Sequence, residues 1–226
     1  MAATLDNLME TASQALAEMD YARCEARCVE ALEQARAGED WVTAQRVLLP
    51  LQEARRQKRQ TAIDGLILLG TPEKAAGLQS LIADERCGCV MLTRPYTAED
   101  AAKLDAWIRG THRAIEVGYA DNDVDADTWR IATFRGAEAQ ADLPAPDRAW
   151  VGRWVDPLTV KPPTPAHWFM RASEALGDAA MARVDAPLGS VERFNALDEA
   201  LASAGDHELL HQRLGEAAKA LQEARR

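Results

Sequence analysis

Nowhere in the sequence do apolar residues run on for the roughly 20 positions that a membrane-spanning helix requires. The opening residues, MAATLDNLMETASQALAEMDY, have no basic start followed by an apolar run, so they do not read as a secretory signal. Cysteine is scarce. Cys24, Cys28, Cys87 and Cys89 are too few and too clustered for a disulfide framework, and reduced thiols of a cytoplasmic protein are expected. Basic residues are outnumbered, 26 against 36 acidic ones, for a formal net charge of -10. Such a surface repels phosphate backbones and anionic lipid heads, which excludes nucleic acid and membranes as default partners.

What is present is the material of a folded domain. Hydrophobic residues at 47% and charged residues at 27% separate this chain from disordered ones, and 226 residues allow one large domain or two small ones. Up to residue 60 the apolar positions recur at helical spacing. Leu5, Leu8, Met9, Ala12, Leu16 and Met19 form one stripe; Cys24, Cys28, Ala31, Leu32 and Ala35 a second; Trp41, Ala44, Leu48 and Leu51 a third. Gly38 separates the second stripe from the third, and Pro50 is expected to kink or restart the last helix. The run of cations from Arg55 to Arg59 reads as a solvated last turn.

From residue 61 strands and helices alternate. Gly65–Gly70, Cys87–Thr93 and Ala114–Ala120 are strand candidates, with Trp129–Phe134 as a fourth. Thr71-Pro72 opens a helix through Ala75, Leu78 and Ile82; Thr97 and Asp100 form a capping box for another through Leu104 and Ile108. The alternation predicts parallel pairing with crossover helices. Residues 136–166 read mainly as loop, with one edge strand around Trp150–Trp154, followed by a helix from Thr164-Pro165. Two final helices meet at Gly205. The expected fold is therefore mixed α/β. A mostly parallel sheet of three or four strands over 61–185 is flanked by helical hairpins at 1–60 and 186–226, the second packing on the rest.

The two ends share features. Ala37-Gly38 followed by Gln45-Arg46 matches Ala204-Gly205 followed by Gln212-Arg213, and Leu51-Gln-Glu-Ala-Arg-Arg56 recurs as residues 221–226. Three extra residues in the second copy amount to nearly one helical turn, which keeps the face in place. In the N-terminal copy, Asp20-Tyr21 followed by Cys24, Cys28 and Ala31-Leu32 resembles the tetratricopeptide repeat, with cysteines where that family has alanine and an aromatic. Leu8 and Ala12 match its large and small packing positions, while Ala15 stands where it has tyrosine. The resemblance covers about forty residues, with a weaker copy at the C-terminus. It implies stacked hairpins that present a surface to a protein partner, or that self-associate.

Three patterns carry candidate chemistry. His207-Glu208-Leu-Leu-His211 has the spacing with which zinc peptidases hold a metal through two histidines and activate its water through the glutamate. Its context is poor: Arg213 falls where an apolar residue is usual, and no third ligand follows on another element. The alternating acids of 121–127 begin like a calcium loop, but Ala126 and Ala132 replace its glycine and closing acid, so an acidic turn is expected. Thr71, Arg94 and Asp121 follow the three parallel strands, where such sheets gather small polar ligands. Gly70-Thr71-Pro72 lacks the pattern of a phosphate loop, and no motif implies a cofactor. The leading expectation is a protein-interaction or assembly module rather than an enzyme. The alternatives are an enzyme or small-ligand sensor with its site at Thr71, Arg94 and Asp121, at the C-terminal ends of the parallel strands, or a zinc-dependent hydrolase through His207, Glu208 and His211.

Overall fold

A computed structural model describes residues 4–72, 77–82, 85, 87–111 and 113–225. Among these, seven α-helices and six strands follow one another: α1 (Leu5–Ala17), α2 (Tyr21–Ala37), α3 (Trp41–Ile63), β1 (Leu66–Leu69), β2 (Cys87–Leu92), α4 (Ala98–Arg109), β3 (Ala114–Tyr119), β4 (Thr128–Ala132), β5 (Gln140–Pro144), β6 (Trp154–Val155), α5 (Pro165–Ala182), α6 (Val191–Ser203) and α7 (Glu208–Glu223). The fold is mixed α/β. No helix among the described residues is long and apolar enough to cross a membrane. The chain divides into two compact units, Met1–Lys58 with Val184–Leu201 and Gly205–Arg226, and Arg59–Arg183 with Ala202–Ala204.

The first unit is helical and draws on both ends of the chain. Its helices bury small residues at their contacts, among them Ala12, Ala15, Cys24, Cys28, Ala31 and Ala35, all fully inaccessible, which lets helix backbones approach closely. Two of its turns are built alike. After α1, the N–H groups of Glu18, Met19 and Asp20 donate to the carbonyls of Gln14, Leu16 and Ala15; after α2, those of Gly38, Glu39 and Asp40 donate to Gln34, Arg36 and Ala35. Met19 (φ 60) and Glu39 (φ 52) take the left-handed conformation that closes such helix ends. Asp20 and Asp40 then cap the next helix, accepting from the N–H groups of Arg23 at 3.1 Å and Thr43 at 3.0 Å. An aromatic, Tyr21 or Trp41, starts each following helix. Within this unit Trp41 packs on Phe194 with ring centroids 5.0 Å apart, and Arg36 pairs with Asp198 at 2.9 Å, so N- and C-terminal hairpins join in one body. α3 does not restart at Pro50 but continues through it as one helix. Proline removes the bond to the Arg46 carbonyl, on a side of the helix where Arg46 and Leu49 are exposed to water.

The second unit holds a four-stranded sheet in the order β3-β2-β1-β6. β1, β2 and β3 are parallel, with Leu66 opposite Gly88 and Cys87 opposite Ala114. The fourth strand differs from the expected one. It is β6, antiparallel to β1, whereas β4 pairs with β5 in a separate antiparallel ribbon. The link from β3 to β4 is too short for a parallel crossover, which needs a dozen or more residues. The chain instead doubles back, and the Asp121 N–H donates to the Arg130 carbonyl at 2.8 Å. α4 starts in the expected capping box, Thr97 and Asp100 each bonding the other's backbone. The helix expected after β1 is only partly within view: Ala75 lies outside the described residues, and Gln79–Ile82 is a single 3-10 turn. Leu68, Val90, Leu92, Leu104, Ile108 and Val117 form the core between sheet and α4.

Candidate functional site

Each strand-end residue expected from topology lies at the same edge of the parallel sheet, and two of them meet. Arg94 places Nε and Nη2 at 3.2 and 3.1 Å from Asp121 Oδ1, and the Tyr119 hydroxyl donates to the same oxygen at 3.2 Å. Burial, and then the Asp121 carboxylate, push the Tyr119 hydroxyl above the usual tyrosine range. Thr71 is turned elsewhere. Its N–H donates to Thr93 Oγ1 at 3.1 Å, its hydroxyl donates to the Thr93 carbonyl at 3.1 Å, and that hydroxyl accepts the Thr93 N–H at 3.3 Å. Thr71 and Thr93 are both buried, so their polar groups are satisfied by one another.

The sheet order reverses direction beside β1, between β1 and β6, and a crevice there is where open α/β sheets bind ligands. Here that place is occupied by the chain itself. Gly70 (φ 79) sits at the end of β1, and a Cβ on it would lie 2.7 Å from Val124, 3.1 Å from Trp129 and 3.3 Å from Val151. Trp129 is fully buried and meets Trp168 edge-on at 5.3 Å. The acidic turn of 121–127 is likewise spent on local structure. Asp121 holds Arg94, the Asn122 side chain accepts from the Arg130 N–H at 3.0 Å, and Asp127 meets Arg148 at 3.3 Å. Among the described residues these carboxylates gather into no cluster of three ligand atoms.

The two histidines of the His-Glu-Leu-Leu-His pattern are buried, and the glutamate is not. His207 is the N-cap of α7, its Nδ1 accepting the Leu210 N–H at 3.3 Å. It occupies the position that Asp40 holds before α3 when Gly205 is set against Gly38. His211 Nδ1 lies 3.1 Å from the His207 carbonyl, to which it donates, leaving its Nε2 buried with no hydrogen-bond partner among the described residues. Burial, reinforced by Arg55, pulls His211 down to about 4. Glu208 faces solvent and accepts from Gln212 Nε2 at 3.0 Å. The spacing thus separates the carboxylate from the rings. No cluster of three ligand atoms among the described residues contains both histidines.

The helical unit has its own polar centre, which the sequence reading placed in solvent. Glu25 Oε1 takes Arg55 Nε at 2.8 Å and Oε2 takes Lys58 Nζ at 2.5 Å, while Arg55 Nη1 donates to the Gly205 carbonyl at 3.0 Å. Burial pushes the Glu25 carboxyl up, but Lys58 and Arg55 outweigh it and hold it at about 2. Arg55 packs against Gly205, its guanidinium carbon at ordinary contact distance, 3.7 Å, from where a Cβ would stand. The neighbouring thiols of Cys24 and Cys28 are fully inaccessible, and burial pushes both up, which makes them packing groups rather than nucleophiles.

The outer face of α3 is the exposed counterpart of this centre. Val42 is 45% and Leu49 74% exposed, with Arg46 between them. Met19, in the turn before α2, is 71% exposed. The sequence signal for the repeated turn was legible but missed: an acid-aromatic pair recurs after twenty residues, as Asp20-Tyr21 and Asp40-Trp41. No protein-family model matches the chain, and neither does any curated protein or any solved structure.

Proposed function

We propose that the chain is a protein-interaction or assembly module whose helical unit works as tetratricopeptide-like hairpins. The observation that carries this reading is the repeated turn. Helices α1, α2 and α3 are joined by two connections with the same hydrogen-bond pattern, a left-handed residue at the same place and an aspartate cap. Successive antiparallel helices joined alike stack regularly, and a regular stack offers an extended face. Exposed Met19, Val42 and Leu49 on this unit supply apolar anchors for a partner. The strand ends of the second unit support a ligand reading less well, since Thr71 is spent on Thr93 and the crevice beside Gly70 is filled by Val124, Trp129 and Val151.

The test is site-specific photocrosslinking. A photoreactive residue is placed singly at Met19, Val42 or Leu49 of the full chain, with Lys161 of the second unit as control. The reading expects discrete protein adducts in host lysate from at least one helical position and none from the control. Adducts at none of the three positions sink it.

A further inference from the structure

Five positions on α3 line one narrow stripe: Val42, Arg46, Leu49, Glu53 and Arg56, separated by four, three, four and three residues. At 100° per residue they stay within an arc of about 80°, on the side of the helix turned away from buried Ala44, Val47, Leu48 and Leu51. Leu49, 74% exposed, stands near the middle. Arg46 lies about 5 Å along the axis to one side of the Leu49–Pro50 link and Glu53 about 5 Å to the other. The stripe is therefore self-complementary under a two-fold rotation. An antiparallel copy centred on that link sets Arg46 against Glu53 twice, brings the two Leu49 side chains together, and lays Val42 against the aliphatic stem of Arg56.

We infer that the outer face of α3 is an isologous docking surface for a second copy of this chain, with Leu49 at its centre and reciprocal Arg46–Glu53 pairs fixing the antiparallel register. This deepens the interaction reading and rests on it. A closed two-fold contact requires one patch that complements itself, and a positive and a negative residue placed symmetrically about an apolar one meet that requirement. Among the described residues Glu53 is engaged by its own helix, through Arg56 at 2.9 Å and Gln57 at 2.8 Å, and both partners can yield to a cation from across the axis. The charges set orientation more than strength, since exposed pairs add little affinity. Affinity comes from burying Leu49 twice. One helix face covers less than the roughly 1,200 Å² of a standard stable interface, so the dimer belongs to the weak, transient class.

Sedimentation velocity on the full chain tests this across a concentration series. The wild type is expected to move from 24.7 kDa toward twice that mass as concentration rises. Leu49→Glu is expected to stay monomeric with unchanged circular dichroism, because Leu49 is exposed. Arg46→Glu and Glu53→Arg alone each place like charges across the axis and weaken the dimer about tenfold. Mixed one to one, they restore both pairs and dimerise at least as tightly as the wild type. A wild type that stays monomeric at millimolar concentration overturns the inference, as does a mixture no tighter than its components, or a Leu49→Glu protein as dimeric as the wild type. A monomeric wild type that still crosslinks a different protein through Leu49 removes the second copy and leaves the interaction reading standing. A monomer with no adduct at any helical position removes both.

Discussion

His211 sets a limit on how acidic the protein's surroundings can become. Its ring is 2% exposed, its Nδ1 proton is given to the His207 carbonyl, and its Nε2 is enclosed with Arg55 nearby. A proton added at Nε2 would be a second positive charge in a site already facing a guanidinium. The folded chain therefore holds this imidazole at about 4, against the ordinary 6.5 of a solvated histidine. Between those two values the unfolded chain takes up a proton that the folded chain refuses, so stability falls as pH falls. At 1.36 kcal/mol for each pH unit, the loss reaches about 3 kcal/mol once pH has dropped through the folded value, and above the unfolded value there is none. That is a sizeable part of the 5–15 kcal/mol typical of a folded protein. Urea unfolding, followed by tryptophan fluorescence from about pH 7.5 to about pH 4, measures it against His211→Leu. Leucine fills similar space without a titrating nitrogen, so the variant is expected to match the wild type at neutral pH within about 1 kcal/mol. It should then fall less steeply in acid, the two curves separating by about 3 kcal/mol. The other histidines are common to both proteins and cancel in the comparison. Parallel curves through the whole range would refute the argument.

Three further outcomes follow from the helical unit. Removing the Arg55 guanidinium (Arg55→Ala) leaves Glu25 with Lys58 alone and takes the Arg55 bond from the Gly205 carbonyl, which is expected to cost about 1.5–3 kcal/mol in denaturant midpoint experiments; Arg56→Ala, one residue on and 69% exposed, serves as the near-silent control. Met19→Gly relieves a left-handed backbone at an exposed turn residue and is expected to add about 0.5–1 kcal/mol, read as a rise in melting temperature. Glu39→Gly gains less, because Glu39 also receives Arg225.

Local signals were the legible part of this fold. The Thr97–Asp100 box, the threonine-proline start of α5 and the apolar runs of β1, β2 and β3 each fix their own conformation within a few residues, so reading them requires no knowledge of what lies elsewhere. The failures share the opposite property. Trp129–Phe134 looks like any half-buried strand, and only the shortness of the link from Tyr119 forbids it a parallel place. Pro50 breaks a helix in isolation, yet here the helix is held on both sides of it by Val47, Leu48, Leu51 and Ala54 packed in the core. Arg55 and Lys58 look solvated because the acid they meet, Glu25, lies a whole helix away. Thr71, Arg94 and Asp121 do share one edge of the sheet, because each follows a parallel strand. Which of them would turn toward Thr93 and which toward each other depends on side-chain geometry that spacing does not encode.

The joining of the two chain ends in one helical body has a consequence in time. Arg36 waits for a partner, Asp198, that lies 162 residues further along. At a synthesis rate of roughly 5–20 residues per second, that wait is about 8–30 s, and for most of it the first three helices have been made and the last two have not. The inner side of α3, Trp41 included, has no C-terminal hairpin to cover it in that interval. Apolar surface left open in this way favours contact with chaperones and with other incomplete chains. Any stalled or truncated product lacking α6 and α7 inherits the same exposure permanently.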